Sequence, residues 1–300
     1  MQTTRWLDKY NKELSSVIEK IISFKENYGV ETGEKNFKFE KVFKENQVIN
    51  INSRNISFNK INISYDIVDA GEQPEEDRTT RKEEFLLIYS TGININYIIN
   101  KNTSASTLIR KLNGYSGKNE VIKNMLNLDS DFFIWLISKV YNGENNIETS
   151  KDTNIQINSI KGLKGNTDDL LNKVTADGET LMNVISALSF LLESNKINQI
   201  KIDVEYKEHQ NIALTLNKTL TIDTDLKNYS GLLLEEEREM SFCKLLLITY
   251  LELIPQLFQA YQEEKKEELW SSQKYIDFLE TIGSDISTRI KEKINLYKEN

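Results

Sequence analysis

From Met240 to Tyr261 the chain reads MSFCKLLLITYLELIPQLFQAY, its most apolar stretch, and everything else must be arranged to cover it. At helical spacing Cys243, Leu247, Tyr250, Ile254, Leu257 and Tyr261 form one stripe, and Leu246, Leu253 and Phe258 widen it around most of the circumference. Lys244, Glu252, Gln256 and Gln259 interrupt the run, so it falls short of the roughly 18 continuous apolar residues of a membrane span. The expectation is a buried central helix, kinked at Pro255 because proline removes a backbone donor.

The flanking segments supply candidate covers. Leu7, Tyr10, Leu14, Val17, Ile21, Phe24 and Tyr28 recur at spacings of three and four, which predicts a long amphipathic helix over 4–28 with Thr3 or Thr4 as its N-cap. Its seam suits the C-terminal helices of the same chain or a second subunit. Between 36 and 67 the period changes to two, giving short strands. The segment 69–84 is charged, holds Gly71 and Pro74, and reads as an exposed loop between two hairpin strands. EFLLIYS and INYII continue the sheet. Three short helices follow over 104–141, in STLIRKL, KNEVIKNML and DFFIWLISKVY.

The polar stretch 142–154 reads as a linker, dividing the chain into 1–143 and 154–300, two parts able to pack as one unit. After it come a strand in IQINSI, a KGLKGN turn, a short helix near 168–174 and a helix over 180–193. Strands over 196–226, turning at 208–211, and a last helix over 275–297 complete the pattern. Strands and helices are segregated, so the fold class expected is α+β with antiparallel or mixed sheets, a long N-terminal helix, and a C-terminal helical hairpin around the buried central helix.

Composition narrows the function classes. A net charge of -8 disfavours general attraction to nucleic acid or anionic membrane and leaves only local basic patches. One cysteine, Cys243, excludes a disulfide framework, and its apolar setting points to an inert buried thiol. One histidine, His209, excludes multi-histidine metal sites within the chain and reads as a solvated turn residue. The charged N-terminal segment has no secretory signal, so a cytoplasmic product without direct membrane insertion is expected. Heavy use of Asn, Ile and Lys fits an AT-rich bacterial or phage genome.

Two constellations could carry function. Lys101, Arg110, Lys111, Lys118 and Lys123, with Tyr115 among them, make 101–123 locally basic, and Lys161 and Lys164 flank Gly162 and Gly165 ahead of the 168–174 helix. Such cations can follow a phosphate backbone, with salt-dependent affinity. On a strand, Asp203, Glu205 and Lys207 share one face, as two acids and a lysine that could hold Mg²⁺ and position a water for phosphodiester hydrolysis. That nuclease alternative lacks a further acid on a preceding neighbouring strand. A solvent-facing amphipathic strand explains the same letters.

The segments Glu84–Leu112 and Ile155–Leu171, including the Asp168–Asp169 pair, resemble strand-then-helix pieces of RexA-type phage-exclusion proteins. The resemblance implies a DNA-binding sensor that works with a membrane partner to stop phage growth, and it supplies no catalytic residues. The reading from sequence is therefore a non-enzymatic binding or regulatory protein, a sensor or adaptor in a bacterial or phage conflict system. Its expected partners are nucleic acid, a protein or a second copy, and it needs no cofactor. The alternatives are the Mg²⁺-dependent nuclease and a structural dimer.

Overall fold

The computed structural model describes residues 1–26, 32–101, 103–124, 126, 128–149, 153–166, 173–177, 196–224 and 226–298. In chain order its helices are α1 (Leu14–Ile22), α2 (Ala105–Leu112), α3 (Ser130–Tyr141), α4 (Arg238–Ile248), α5 (Ile254–Lys266) and α6 (Ser272–Lys298). The chain divides into two compact units. The first comprises 1–125 and 237–248, the second 126–236 and 249–300.

The first unit is built on an antiparallel sheet of β1 (Gln2–Asp8), β2 (Gly33–Lys41), β3 (Gln47–Ile51), β4 (Arg54–Val68), β5 (Thr79–Ser90), β6 (Ile95–Ile99) and β7 (Val121–Lys123). Neighbours run β7-β1-β6-β5-β4, and both β2 and β3 pair with β4. Alternation sorts the side chains: Ile61, Ile63 and Tyr65 of β4, Leu86 and Ile88 of β5, and Ile95, Tyr97 and Ile99 of β6 share one buried cluster. Leu14, Val17, Ile18 and Ile21 of α1 and Leu108, Ile109 and Leu112 of α2 belong to the same cluster. Phe85, which alternates to the opposite face of β5, meets Phe242 of α4 edge-on at 5.3 Å.

This arrangement corrects the expected long N-terminal helix. Residues 2–8 are a strand, and the helical period is confined to the nine residues of α1. Thr3, Thr4 and Trp6 suit an extended chain. Asp8 then blocks a helix, because its carboxylate accepts the backbone N–H groups of Tyr10 and Asn11 at 2.9 and 3.0 Å. Three smaller expectations also change. Thr79–Glu84 extend β5 against β4, with Arg81 ion-paired to Asp66 at 2.9 Å, so the exposed loop is shorter than 69–84. Val121–Lys123 form β7 against β1 where a helix was expected. Asn146–Glu148 of the expected linker form a strand, β8, against Asn154–Gln156.

The sheet of the second unit runs β10 (Lys173–Asp177), β9 (Asn154–Asn166), β11 (Lys196–Tyr206), β12 (His209–Asn217), β13 (Ile222–Asp223), with β8 on β9, all antiparallel. The expected KGLKGN turn is the second half of β9. The expected helix near 168–174 starts outside the described residues, and Lys173–Asp177 are strand. The helix expected over 180–193 lies wholly outside the described residues. Phe132, Phe133, Trp135, Leu136 and Ile137 bury α3, and Phe132 and Trp135 lie 5.4 and 5.5 Å from the Tyr261 ring of α5.

The apolar stretch is helical from Arg238 to Lys266 and, by length and composition, passes for a membrane-crossing helix. Its most apolar window is 72% buried within the protein, as expected of a core helix. Just before Pro255 the regular ladder gives way to a π-helical turn over Thr249–Leu253. The proline ring removes a donor there, and the wider turn accommodates it. Burial pushes the Cys243 thiol up to about 12, which keeps it protonated and inert.

Candidate nucleic-acid interface

Asp8 ends β1 with a fully buried carboxylate. Besides the two backbone donors, Asn11 Nδ2 donates to it at 2.9 Å, the Tyr97 hydroxyl at 2.7 Å and the Tyr115 hydroxyl at 2.9 Å. Asn113 extends the network, donating to the Tyr97 hydroxyl at 3.2 Å and accepting from Asn11 Nδ2 at 3.0 Å. Burial pushes the Tyr97 and Tyr115 hydroxyls up, and the nearby Asp8 charge adds to it, so both remain donors.

The network holds two loops side by side. At the end of α2, Gly114 adopts φ +64°, and the N–H groups of Gly114 and Tyr115 cap the carbonyls of Lys111 and Arg110 at 3.0 and 2.9 Å. The Lys9 N–H donates to the Glu120 carbonyl at 3.0 Å, tying loop 9–12 to loop 113–120. Tyr10 stands on this base 67% exposed, its ring 6.1 Å from that of Tyr115 at 56°. Lys20 of α1 places its ammonium 5.3 Å from the Tyr115 ring centroid. Lys9, Lys12, Lys20 and Lys118 are all exposed, and Lys12 donates to Asn94 at 2.5 Å. Glu13 and Glu19 are exposed acids on the adjoining chain, while Glu120 is ion-paired with Arg110 at 3.1 Å. An exposed aromatic ring with cations on the same and adjoining loops is a combination that can take an unstacked base and its phosphates.

Only part of the basic segment reaches this surface. Lys118 lies on the Tyr115 loop, and Arg110 stands behind it, paired with Glu120. Lys111 is ion-paired with Glu34 at 3.0 Å, with its ammonium 4.6 Å from the Phe37 ring centroid. Lys101 donates to the Tyr65 hydroxyl at 2.6 Å. Lys123, on β7, is half-buried, and burial pushes its ammonium below the usual range. Lys161 and Lys164 belong to β9 of the second unit. Sequence reasoning missed Lys9, Tyr10 and Lys12 because it wound them into a helix, and missed Lys20, which is helical on α1, because only the folded chain brings it to the Tyr115 ring. The available signal was Asp8-Lys9-Tyr10-Asn11, an aspartate positioned to cap its own following backbone.

No protein-family model and no curated protein matches this chain.

The acid-and-lysine strand is not assembled as one site. Asp203 is buried and ion-paired with Lys161 at 2.5 Å, with Ser159 donating at 3.3 Å. A register shift around Lys161 in β9 puts the extra residue where its ammonium meets that carboxylate. Glu205 is exposed. Lys207 leaves the strand at φ +53° in the hairpin turn and donates to Glu252 of the π turn at 2.5 Å. Among the described residues, no group of three or more His, Cys, Asp or Glu side chains is placed to hold a metal ion. His209 is buried rather than solvated, its Nδ1 2.7 Å from the Tyr229 hydroxyl.

An open groove of about 560 Å³ crosses β2, β4 and β5 of the first unit. Its lining mixes Lys38 and Lys60 with Glu40, Glu83 and Glu84. Lys60 is already held by Glu239 at 2.5 Å and lies 5.0 Å from the Phe85 ring centroid. Alternating signs suit a structured polar surface more than a phosphate track.

Proposed function

We propose that the protein binds single-stranded nucleic acid through loops 9–12 and 113–120, serving as a sensor or adaptor and not as a nuclease. The exposed Tyr10 ring, held against Tyr115 by the Asp8 network, is the observation that carries this reading. A base stacked on such a ring contributes about 1–3 kcal/mol whatever its identity. Lys9, Lys12, Lys20 and Lys118 then follow the backbone, with affinity that falls as salt rises. Because the hydrogen bonds to Asp8 form these loops in advance, binding orders little new chain. The RexA-type resemblance, with its DNA-binding sensor, points in the same direction.

Fluorescence anisotropy with labelled single-stranded DNA and RNA oligonucleotides, over a salt series, tests the proposal. Low-salt binding, weakened in Tyr10→Ala and by rising salt, is the expected result. Absence of binding to either strand at low salt overturns it.

A further inference from the structure

Helix α6 begins as part of the second unit and then leaves its cover. Phe278 and Ile282 are its buried side chains, Phe278 packs 5.6 Å from Tyr141, and Tyr141 donates to Asp285. Beyond that point, Ser287 to Lys298 are exposed throughout except for half-exposed Arg289. Ile290 is 48%, Ile294 47% and Tyr297 77% exposed.

Most side chains on this arm are sorted by angle, the exception being exposed Leu296, which falls beside Arg289 outside the apolar arc. At roughly 100° per residue, Ile286, Ile290, Ile294 and Tyr297 fall within an arc of about 80°. Lys291 and Lys298 occupy one shoulder of that arc, Arg289 and Lys293 the other, and Glu292 the far side. The arm thus carries four cations against one acid in a chain of net charge -8. It is a short basic amphipathic helix.

We propose that the exposed arm of α6, Ser287–Lys298, with half-buried Ile286 at its root, lies on an anionic lipid surface. The isoleucines enter the boundary between headgroups and acyl chains, and Tyr297, apolar in its ring and polar at its tip, sits at the same level. A flat negative surface meets both cationic shoulders at once while Glu292 faces water. A second copy is the poorer occupant, because its cationic shoulders would meet these in an isologous pair. Nucleic acid would satisfy the cations but leave the isoleucines without an apolar partner.

Co-sedimentation of the full chain with phosphatidylcholine vesicles, and with vesicles containing phosphatidylglycerol, tests this at low salt. Binding to the anionic vesicles alone is expected. Both Ile290→Asp/Ile294→Asp and Lys291→Glu/Lys293→Glu should weaken it on the order of tenfold or more. These positions are exposed, so an unchanged melting temperature accompanies the loss. Oligonucleotide binding is unaffected in Ile290→Asp/Ile294→Asp, which separates this surface from the Tyr10 loops. The proposal is overturned by wild-type indifference to anionic vesicles, by equal binding to neutral ones, or by a doubled solution mass that Ile290→Asp/Ile294→Asp abolishes. Capture of the arm by an acidic protein, with no vesicle binding, overturns it equally.

Discussion

Tyr115 donates its hydroxyl to the buried carboxylate of Asp8 at 2.9 Å, across 107 residues of chain. That bond joins the end of β1 to the loop after α2, whose Tyr115 ring lies 6.1 Å from the exposed ring of Tyr10. Charge-assisted bonds of this kind contribute more than neutral ones, and a buried carboxylate with this many donors is well satisfied. Asp8→Ala leaves the buried Tyr97 hydroxyl without its acceptor and frees the two backbone donors of the turn. It should cost about 3 kcal/mol or more, since each unsatisfied buried group costs roughly 1–3 kcal/mol. Asp8→Asn should cost less, as an amide oxygen still accepts. Urea denaturation measures both, and oligonucleotide affinity should fall in Asp8→Ala at temperatures where the chain is still folded.

Parts of this molecule are legible from sequence because local chemistry and tertiary packing agree. The apolar helix, α2, α3 and the strand alternation of β4 to β6 follow directly from side-chain period. The N-terminal segment is the instructive failure. Leu7, Tyr10 and Leu14 are spaced for a helix, yet Leu7 lies on a strand, Tyr10 is exposed, and only Leu14 is helical. A heptad count cannot see that the Asp8 side chain competes for the next turn's backbone donors. The site was hidden by the same error, because Lys9, Lys12 and its most exposed ring, Tyr10, lie in the part of that segment that is not helical. Charges were misread for a different reason. Lys111, Lys161 and Lys207 look free in sequence, but their acids are Glu34, Asp203 and Glu252, each at least 40 residues away.

His209 gives a pH dependence. Burial lowers its pKa, with Glu208 and Glu252 partly opposing the shift, and its Nδ1 is engaged by Tyr229. Below the ordinary imidazole value of about 6.5 the unfolded chain takes up a proton that the folded chain resists. This contribution to stability is therefore full above that pH and is lost as pH falls through the lower folded value. Melting temperature measured from pH 7.5 down to 5 should decline more steeply for the wild type than for His209→Gln. Parallel curves would remove His209 as the cause.

Gly231 supports the same corner. Its φ is +148°, and a Cβ there would lie 2.6 Å from the Tyr229 hydroxyl and 2.8 Å from both the Glu208 carbonyl and His209 Cα. Gly92 also has positive φ, +84°, but a Cβ added there meets open space. Gly92→Ala should cost on the order of 1 kcal/mol, from backbone strain alone. Gly231→Ala should cost about 3 kcal/mol or more, because strain combines with steric overlap and forces the His209–Tyr229 pair apart. Chemical denaturation of the two variants gives the comparison directly. Equal losses would mean that the hairpin relaxes around the added methyl.

Lys207 and Glu252 allow the catalytic and structural readings of the D-x-E-x-K strand to be separated by stability. The Glu252 side chain is 6% exposed and the Lys207 side chain 41%, with 2.5 Å between ammonium and carboxylate. Tyr206 shares this carboxylate, and Gln256 donates to the Tyr206 hydroxyl at 2.9 Å. Removing the cation strands a nearly buried charge, whereas removing both charges leaves polar groups that Tyr206 and Gln256 can still satisfy. Lys207→Met should therefore cost about 2 kcal/mol, less than the roughly 3–5 kcal/mol of a fully buried pair because the lysine is partly solvated. Glu252→Gln added to Lys207→Met should restore more than half of that loss. A double-mutant cycle in urea measures the coupling. If the cycle shows none while Lys207→Met abolishes a metal-dependent cleavage of nucleic acid, the lysine serves chemistry, and the non-enzymatic reading of this strand fails.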